Sequence, residues 1–243
     1  PMAVVCHGFG DSKYGAMGSW AGRVIGRCGG VVVYDNRGQG ESTAKTADGS
    51  LGEAADLAAV VGQVAAMRPG AAAKGVVVVG YSMGANAAIR AVAAMRAAGG
   101  DGCGRDGGGV EVVGLMADSP YRRWDGPVRR VFAMNRWPAW PVVGLTGVWL
   151  RIGRRWEDTA AVAERLGARL AVLVVGTEAD ELVGLEDVRA IAAAAERGGA
   201  DAELLAFEEG RHLAGWDVDR AAYEAEIDRL FDKVAARRGL VQG

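Results

Sequence analysis

The 243-residue chain predicts an α/β fold built on a doubly wound, mostly parallel sheet, and three observations carry that prediction. Valine-rich runs at Val4, Val31, Val76, Val112 and Val172, with a sixth apolar run at Leu204, alternate with alanine-rich stretches of helical character. Parallel strands covered on both faces read as continuous β-branched runs, and their crossovers are usually helices. The string Gly80-Tyr81-Ser82-Met83-Gly84 falls directly between one such strand and one such helix. Half of the residues are hydrophobic, enough for one sizeable core, and α/β units of this length are often single domains. One domain over 1–243 is expected.

The elements follow in order. The first strand, Ala3 to Cys6, runs into His7-Gly8-Phe9-Gly10, and the second is centred on Val31. After it comes Tyr34-Asp35-Asn36-Arg37-Gly38-Gln39-Gly40-Glu41-Ser42, where Asp35 and Arg37 are expected to pair while Gly38 and Gly40 supply positive φ in a sharp loop. The third strand, Val76 to Val79, enters the glycine-flanked turn, which is tight enough to lift the Ser82 hydroxyl above the sheet. An alanine-rich helix follows. Gly99 to Gly109 reads as a glycine-rich surface insertion. Within it Gly102-Cys103-Gly104-Arg105-Asp106-Gly107 has dinucleotide-loop spacing, but it precedes a strand instead of following one, so no cofactor is assigned. The fourth strand, Val112 to Ala117, ends at Asp118-Ser119-Pro120, where the aspartate is suited to capping the turn. The fifth, Leu170 to Val175, leads into Gly176-Thr177-Glu178-Ala179-Asp180. The sixth, Ala202 to Phe207, leads past Gly210 to His212 and a helix with apolar Tyr223, Ile227, Leu230, Phe231 and Val234. Ligands of such sheets bind beyond the strands' carboxyl ends, where Ser82, Asp180 and His212 all fall.

A serine hydroxyl near neutral pH needs a base within hydrogen-bond reach and a group that orients the base. Only two histidines exist, His7 and His212. His7 is read as support for its own loop and His212, at a strand exit, as the base. The orienting acid is Asp180 or Asp118, both at strand ends, with Glu178 as a third candidate. Asp180 is preferred because the order Ser82, Asp180, His212 is that of nucleophile-elbow enzymes.

These residues resemble the α/β-hydrolase superfamily, and are most similar to its serine esterase, acylglycerol lipase and serine aminopeptidase-like branches. The elbow, His7-Gly8-Phe9-Gly10, the loop Tyr34 to Ser42, the Asp180 loop and the His212 loop occur in the family's order and span nearly the whole chain. The resemblance implies a nucleophile Ser82, a base His212 and an acid Asp180, with the oxyanion held by the backbone N–H groups of Phe9 and Met83. Serine at the nucleophile position disfavours the dehalogenase and epoxide hydrolase branches. The chain opens at what corresponds to the family's third strand, so the first two are expected to be missing and an upstream segment could carry a targeting signal or anchor.

The family commonly inserts a cap between two sheet strands, and the segment at about 121–160 is read as a Trp-rich helical cap. Trp124, Trp137, Trp140 and Trp149 are the candidates for a substrate pocket, and Pro138 and Pro141 predict a bent or broken helix. The expected substrate is a small-molecule carboxylic ester with an apolar or lipid-like acyl group. Alternatives are a serine aminopeptidase-like peptidase, which would need a cap carboxylate from among Asp125, Glu157 and Asp158, a thioesterase, or a non-catalytic binding module on the same fold.

A net charge of −2, with no basic cluster beyond the pairs Arg122-Arg123, Arg129-Arg130 and Arg154-Arg155, gives no case for nucleic acid. No apolar run approaches the ~20 residues that span a bilayer, and no cleavable leader is recognisable. The three cysteines, Cys6, Cys28 and Cys103, are odd in number and lack zinc-ligand spacing. Neither metal nor cofactor is expected, and reduced thiols point to the cytoplasm or another reducing compartment.

Overall fold

The computed structural model describes residues 1–99, 110–149 and 156–237. Six strands form one sheet in the order β2-β1-β3-β4-β5-β6: β1 (Met2–Cys6), β2 (Val31–Val33), β3 (Val76–Tyr81), β4 (Val112–Asp118), β5 (Ala171–Thr177) and β6 (Asp201–Phe207). Every neighbouring pair is parallel, with Val4 opposite Val78 and Leu115 opposite Val172. Each predicted strand is present, most of them a residue or two longer than the apolar run that announced it.

Alternation of side chains along a strand separates two buried layers. Val4, Cys6, Val76, Val78, Leu115 and Val174 pack beneath α1 (Leu51–Met67), α2 (Met83–Gly99) and α6 (Leu185–Arg197). Ala3, Val5, Val77, Val79, Met116 and Leu173 pack on the other face against a run of short helical turns over 13–27 and against α7 (Arg220–Arg237). Helices on both faces make the sheet doubly wound. Tyr223, Ile227, Leu230, Phe231 and Val234 form the buried stripe of α7, the i, i+4, i+7, i+8, i+11 pattern of an amphipathic helix. Each of these buried side chains stabilises the fold by ~1.5–3 kcal/mol.

The winding reverses between β1 and β3, which lie side by side although β2 intervenes in sequence. That switch point brings the loops after β1 and β3 together, the crevice where α/β sheets bind ligands. Between β4 and β5 the chain inserts α3 (Asp125–Met134), α4 (Ala139–Trp149) and the short α5 (Thr159–Ala163). The break expected from the prolines falls at 135–138. Pro138 precedes α4 and Pro141 lies in its first turn, where a missing N–H leaves no hydrogen bond broken.

One expected contact is replaced. Asp35 does not pair with Arg37: its oxygens accept the backbone N–H of Lys13 at 2.7 Å, the Lys13 ammonium at 2.9 Å and the N–H of Glu41 at 3.0 Å. Arg37 instead makes a two-pronged contact with Asp56 of α1, at 2.6 and 2.7 Å. The donors gathered around Asp35 saturate it, and α1 offers the guanidinium a carboxylate in fork geometry. Gly38 and Gly40 do take positive φ, +70° and +53°. The Gly102 to Gly107 string, Cys103 and the Arg154-Arg155 pair lie outside the described residues. Among those described, no helix is long and apolar enough to cross a membrane.

Candidate active site

The site starts from the turn between β3 and α2. Ser82 has φ +54°, a left-handed conformation that a non-glycine residue adopts only under constraint. Its flanking glycines are sterically required. A Cβ on Gly80 would stand 2.4 Å from the Gly84 carbonyl oxygen, and one on Gly84 would stand 2.1 Å from that of Cys6. The Ser82 N–H donates to the Asp118 carbonyl at 2.8 Å, which ties the turn to the end of β4.

The hydroxyl so presented meets His212, with Nε2 3.0 Å from Oγ, and the opposite ring nitrogen Nδ1 lies 2.7 Å from Asp180 Oδ2. With Nδ1 protonated toward the carboxylate, Nε2 is left free to accept the serine proton. Asp180 is buried, and its second oxygen accepts the N–H groups of Leu182 and Val183, each at 2.8 Å. Its own loop thus fixes the carboxylate. The other candidate acids stand apart. Glu178 is exposed. Asp118 is buried and, instead of capping a turn, accepts the Tyr223 hydroxyl at 2.5 Å and the Ser119 hydroxyl at 2.9 Å. Burial in apolar surroundings holds its pKa above the usual carboxylate range.

His7 lies wholly within the protein. Its Nε2 accepts the Asn36 N–H at 3.0 Å, so Nδ1 carries the proton and donates to the Gly8 carbonyl at 2.8 Å, while the Asn36 amide donates to the His7 carbonyl at 2.8 Å. This network braces the loop that carries Gly8 and Phe9 against the elbow. A Cβ on Gly8 would sit 3.3 Å from that of Ser82. Met83 opens α2, whose first N–H groups have no partner within the helix.

A cleft of about 490 Å³ opens over Ser82 and His212. Phe9 and Met83 flank the serine, and the wall is formed by Tyr121, Trp124, Val128, Val131, Phe132, Leu182 and Leu213. Of the tryptophans read as pocket residues, Trp124 lines the cleft. Trp137 and Trp140 do not: they are 59% and 78% exposed. The reason is helical phase. Val128, Val131 and Phe132 share the inward face of α3, whereas Arg136, at φ +55°, turns the chain outward before Trp137. The Trp149 side chain lies outside the described residues.

Two carboxylates near the site were not anticipated. Glu181 Oε2 accepts the backbone N–H of His212 at 3.1 Å, and Asp11, in the cleft wall, accepts the Tyr81 hydroxyl at 2.5 Å. Both directly follow residues of recognised motifs, Asp180 and Gly10, but their partners are distant in sequence and no local pattern announces them. Among the described residues no group of three or more His, Cys, Asp or Glu side chains is placed to hold a metal ion.

The sequence profile of the alpha/beta hydrolase family matches residues 3–239. Esterase Pf2001 of Pyrococcus furiosus is similar in structure, with a TM-score of 0.72 at 19% identity over 96% of this chain and 82% of that one. A lipase-esterase related protein of Clostridium acetobutylicum superposes with a TM-score of 0.62 at 15% identity over 94% and 93% of the two chains. XC6422 of Xanthomonas campestris, an α/β serine hydrolase without a lid, gives a TM-score of 0.52 at 21% identity over 97% and 79%. No curated protein matches at a significant level.

Proposed function

We propose, from the premise that this chain belongs to the alpha/beta hydrolase family, that it is a serine hydrolase cleaving carboxylic esters with an apolar acyl group. The observation that carries the reading is the line of contacts from Ser82 through His212 to Asp180, at 3.0 and 2.7 Å. Ser82 attacks the acyl carbonyl as His212 Nε2 takes its proton. Asp180 holds the tautomer and stabilises the imidazolium, and His212 returns the proton to the leaving alkoxide. Water, activated by the same imidazole, then frees the acid from the acyl-enzyme. The N–H groups of Phe9 and Met83 receive the oxyanion, each such donor being worth ~3 kcal/mol of barrier in known cases.

The apolar wall selects the acyl group. A cleft of about 490 Å³ lies within the size range of small-molecule sites, room for a medium-chain ester with its leaving group. The segment at about 121–160 acts as a cap within a single domain over 1–243, with α3 supplying the lid over the acyl chain. The peptidase alternative is disfavoured because Asp125, Glu157 and Asp158 are held by Arg129, Arg165 and Arg122, and none lines the cleft. Free thiols at Cys6 and Cys28 suit a reducing compartment.

Labelling with a fluorophosphonate probe tests the reading. The parent is expected to label, and Ser82→Ala and His212→Ala to lose labelling while remaining folded; a p-nitrophenyl ester series should then peak at medium chain length. A folded parent that never labels would assign the fold to a non-catalytic role.

A further inference from the structure

The outer face of the inserted helices has a chemistry that the cleft does not use. Met134, Trp137, Trp140, Leu145 and Val148 are exposed by 52%, 59%, 78%, 70% and 78%, a cluster of large apolar side chains turned to solvent. Helix α4, Ala139–Trp149, has no charged residue in eleven positions. Only one side of it is covered: Val143 is buried, and Gly147 approaches Trp124 so closely that a Cβ would stand 2.9 Å from the indole.

Arginines precede this apolar face along the chain. The described residues 121–149 hold five arginines, no lysine and a single acid, Asp125, a formal +4 in a chain whose total is −2. The remainder therefore carries −6. Arg129, Arg130 and Arg136 are all exposed on or just beyond α3. Arg129 contacts Asp125 at 2.9 Å and Arg130 contacts Glu186 at 3.1 Å, while Arg136, one residue before Trp137, has no ionic partner among the described residues.

We propose that this face docks the protein on anionic lipid bilayers, with Trp137, Trp140, Leu145 and Val148 entering the headgroup boundary and Arg129, Arg130 and Arg136 meeting lipid phosphates. Apolar and basic groups side by side on a helical surface are the features of interfacial binding, and tryptophan favours the boundary between headgroups and acyl chains. At eleven residues α4 is about 17 Å long, too short to cross a bilayer, so it enters along the surface. The other occupants fit less well. A second copy would bring a like-charged face against this one, and nucleic acid offers Leu145 and Val148 no apolar phase. The docking needs no catalysis and is independent of the ester hydrolase reading.

Co-sedimentation of the full chain with vesicles tests it, comparing phosphatidylcholine alone with an equimolar mixture with phosphatidylglycerol. The parent is expected to pellet with the mixed vesicles, less so at high salt, and weakly with phosphatidylcholine; Ser82→Ala should behave as the parent does. The double variant Trp137→Gln, Trp140→Gln should lower partitioning at least about tenfold, and Arg136→Gln about fivefold. Absence of pelleting with mixed vesicles, or pelleting that the double variant leaves unchanged, would overturn the proposal. So would a parent dimer that becomes monomeric in the double variant with vesicle binding intact, which would give the face to a second copy.

Discussion

Glu181 accepts the backbone N–H of His212 at 3.1 Å, while its neighbour Asp180 engages the imidazole of the same residue at 2.7 Å. Two consecutive carboxylates therefore hold the histidine, one by its main chain and one by its ring. Arg211, 3.4 Å from Glu181, anchors the outer member of the pair. Their chemical duties differ. Asp180→Asn is expected to keep the geometry but reverse the tautomer preference, lowering kcat by ~10⁴ with little change in KM. Glu181→Ala frees only the main chain of His212, and a drop in kcat of roughly tenfold is expected, with Glu181→Gln restoring most of it because an amide oxygen accepts the same N–H. Steady-state ester hydrolysis by the three variants decides. Should Glu181→Ala lower the melting temperature and leave kcat untouched, Glu181 serves stability alone.

The elbow glycines give a steric prediction. A Cβ on Gly84 would fall 2.1 Å from the Cys6 carbonyl oxygen and 2.6 Å from that of His7, both backbone atoms that cannot swing aside. Gly84→Ala must therefore push α2 away from β1 and displace Ser82, and loss of fluorophosphonate labelling with a clearly lower melting temperature is expected. Gly18→Ala is the matched control. No atom lies within 4 Å of its added Cβ, and removing a glycine from a helical turn should stabilise by ~0.5–1 kcal/mol.

How far the sequence could be read depended on how local each signal was. The valine runs announced β1 to β5, and the apolar residues around Leu204 announced the half-exposed edge strand β6; the inner strands, buried on both faces, need apolar residues at every position. The turn at Ser82 was legible for the same kind of reason, since its glycines answer to contacts within a few residues. Trp137 and Trp140 were misplaced because the direction of a side chain on an inserted helix depends on helical phase and on the turn at Arg136. Asp35 and Arg37, near in sequence, found better partners in Lys13 and Asp56, 22 and 19 residues away. Glu181 was invisible beside Asp180, because its role lies in a contact to the main chain of a residue 31 positions on.

Glu53 couples the cleft to pH. It is fully buried in α1 and accepts the N–H groups of Asp48 at 3.1 Å and Ser50 at 2.8 Å, the loop whose Ala47 and Gly49 line the cleft. Burial, helped by the Asp48 carboxylate, pushes its pKa up to about 7 from the usual 4.5. The folded state then holds a proton that the unfolded chain has released, so this contribution to stability is full below the unfolded pKa and is lost as pH rises through about 7. The loss is on the order of 3 kcal/mol. Glu53→Gln should abolish that slope, which urea midpoints measured from acid to mildly alkaline pH will show; a variant as pH-sensitive as the parent would locate the titration elsewhere.

The last prediction concerns Asp118, which lies beneath the elbow without joining the line from Ser82 to Asp180. Buried, with a raised pKa, it accepts the Tyr223 hydroxyl at 2.5 Å, and its carbonyl oxygen receives the Ser82 N–H at 2.8 Å. Because the folded pKa lies above the unfolded one, the favourable contribution of Asp118 is present at acid pH and fades as pH rises and the carboxylate charges. The Tyr223 hydroxyl limits that fading by bonding the charged form. Tyr223→Phe leaves the ring stacked near Phe207, centroids 6.3 Å apart, and removes the hydroxyl that donates to Asp118 and also meets Arg23. The expected cost is ~1–3 kcal/mol at neutral pH, where the carboxylate loses a bond it needs, and less at acid pH, where a protonated acid needs that bond less. Urea unfolding at both pH values measures the difference. Equal costs at the two would mean that the hydroxyl supports packing and not the charge, while fluorophosphonate labelling in the same variant reports whether the strand end still positions Ser82.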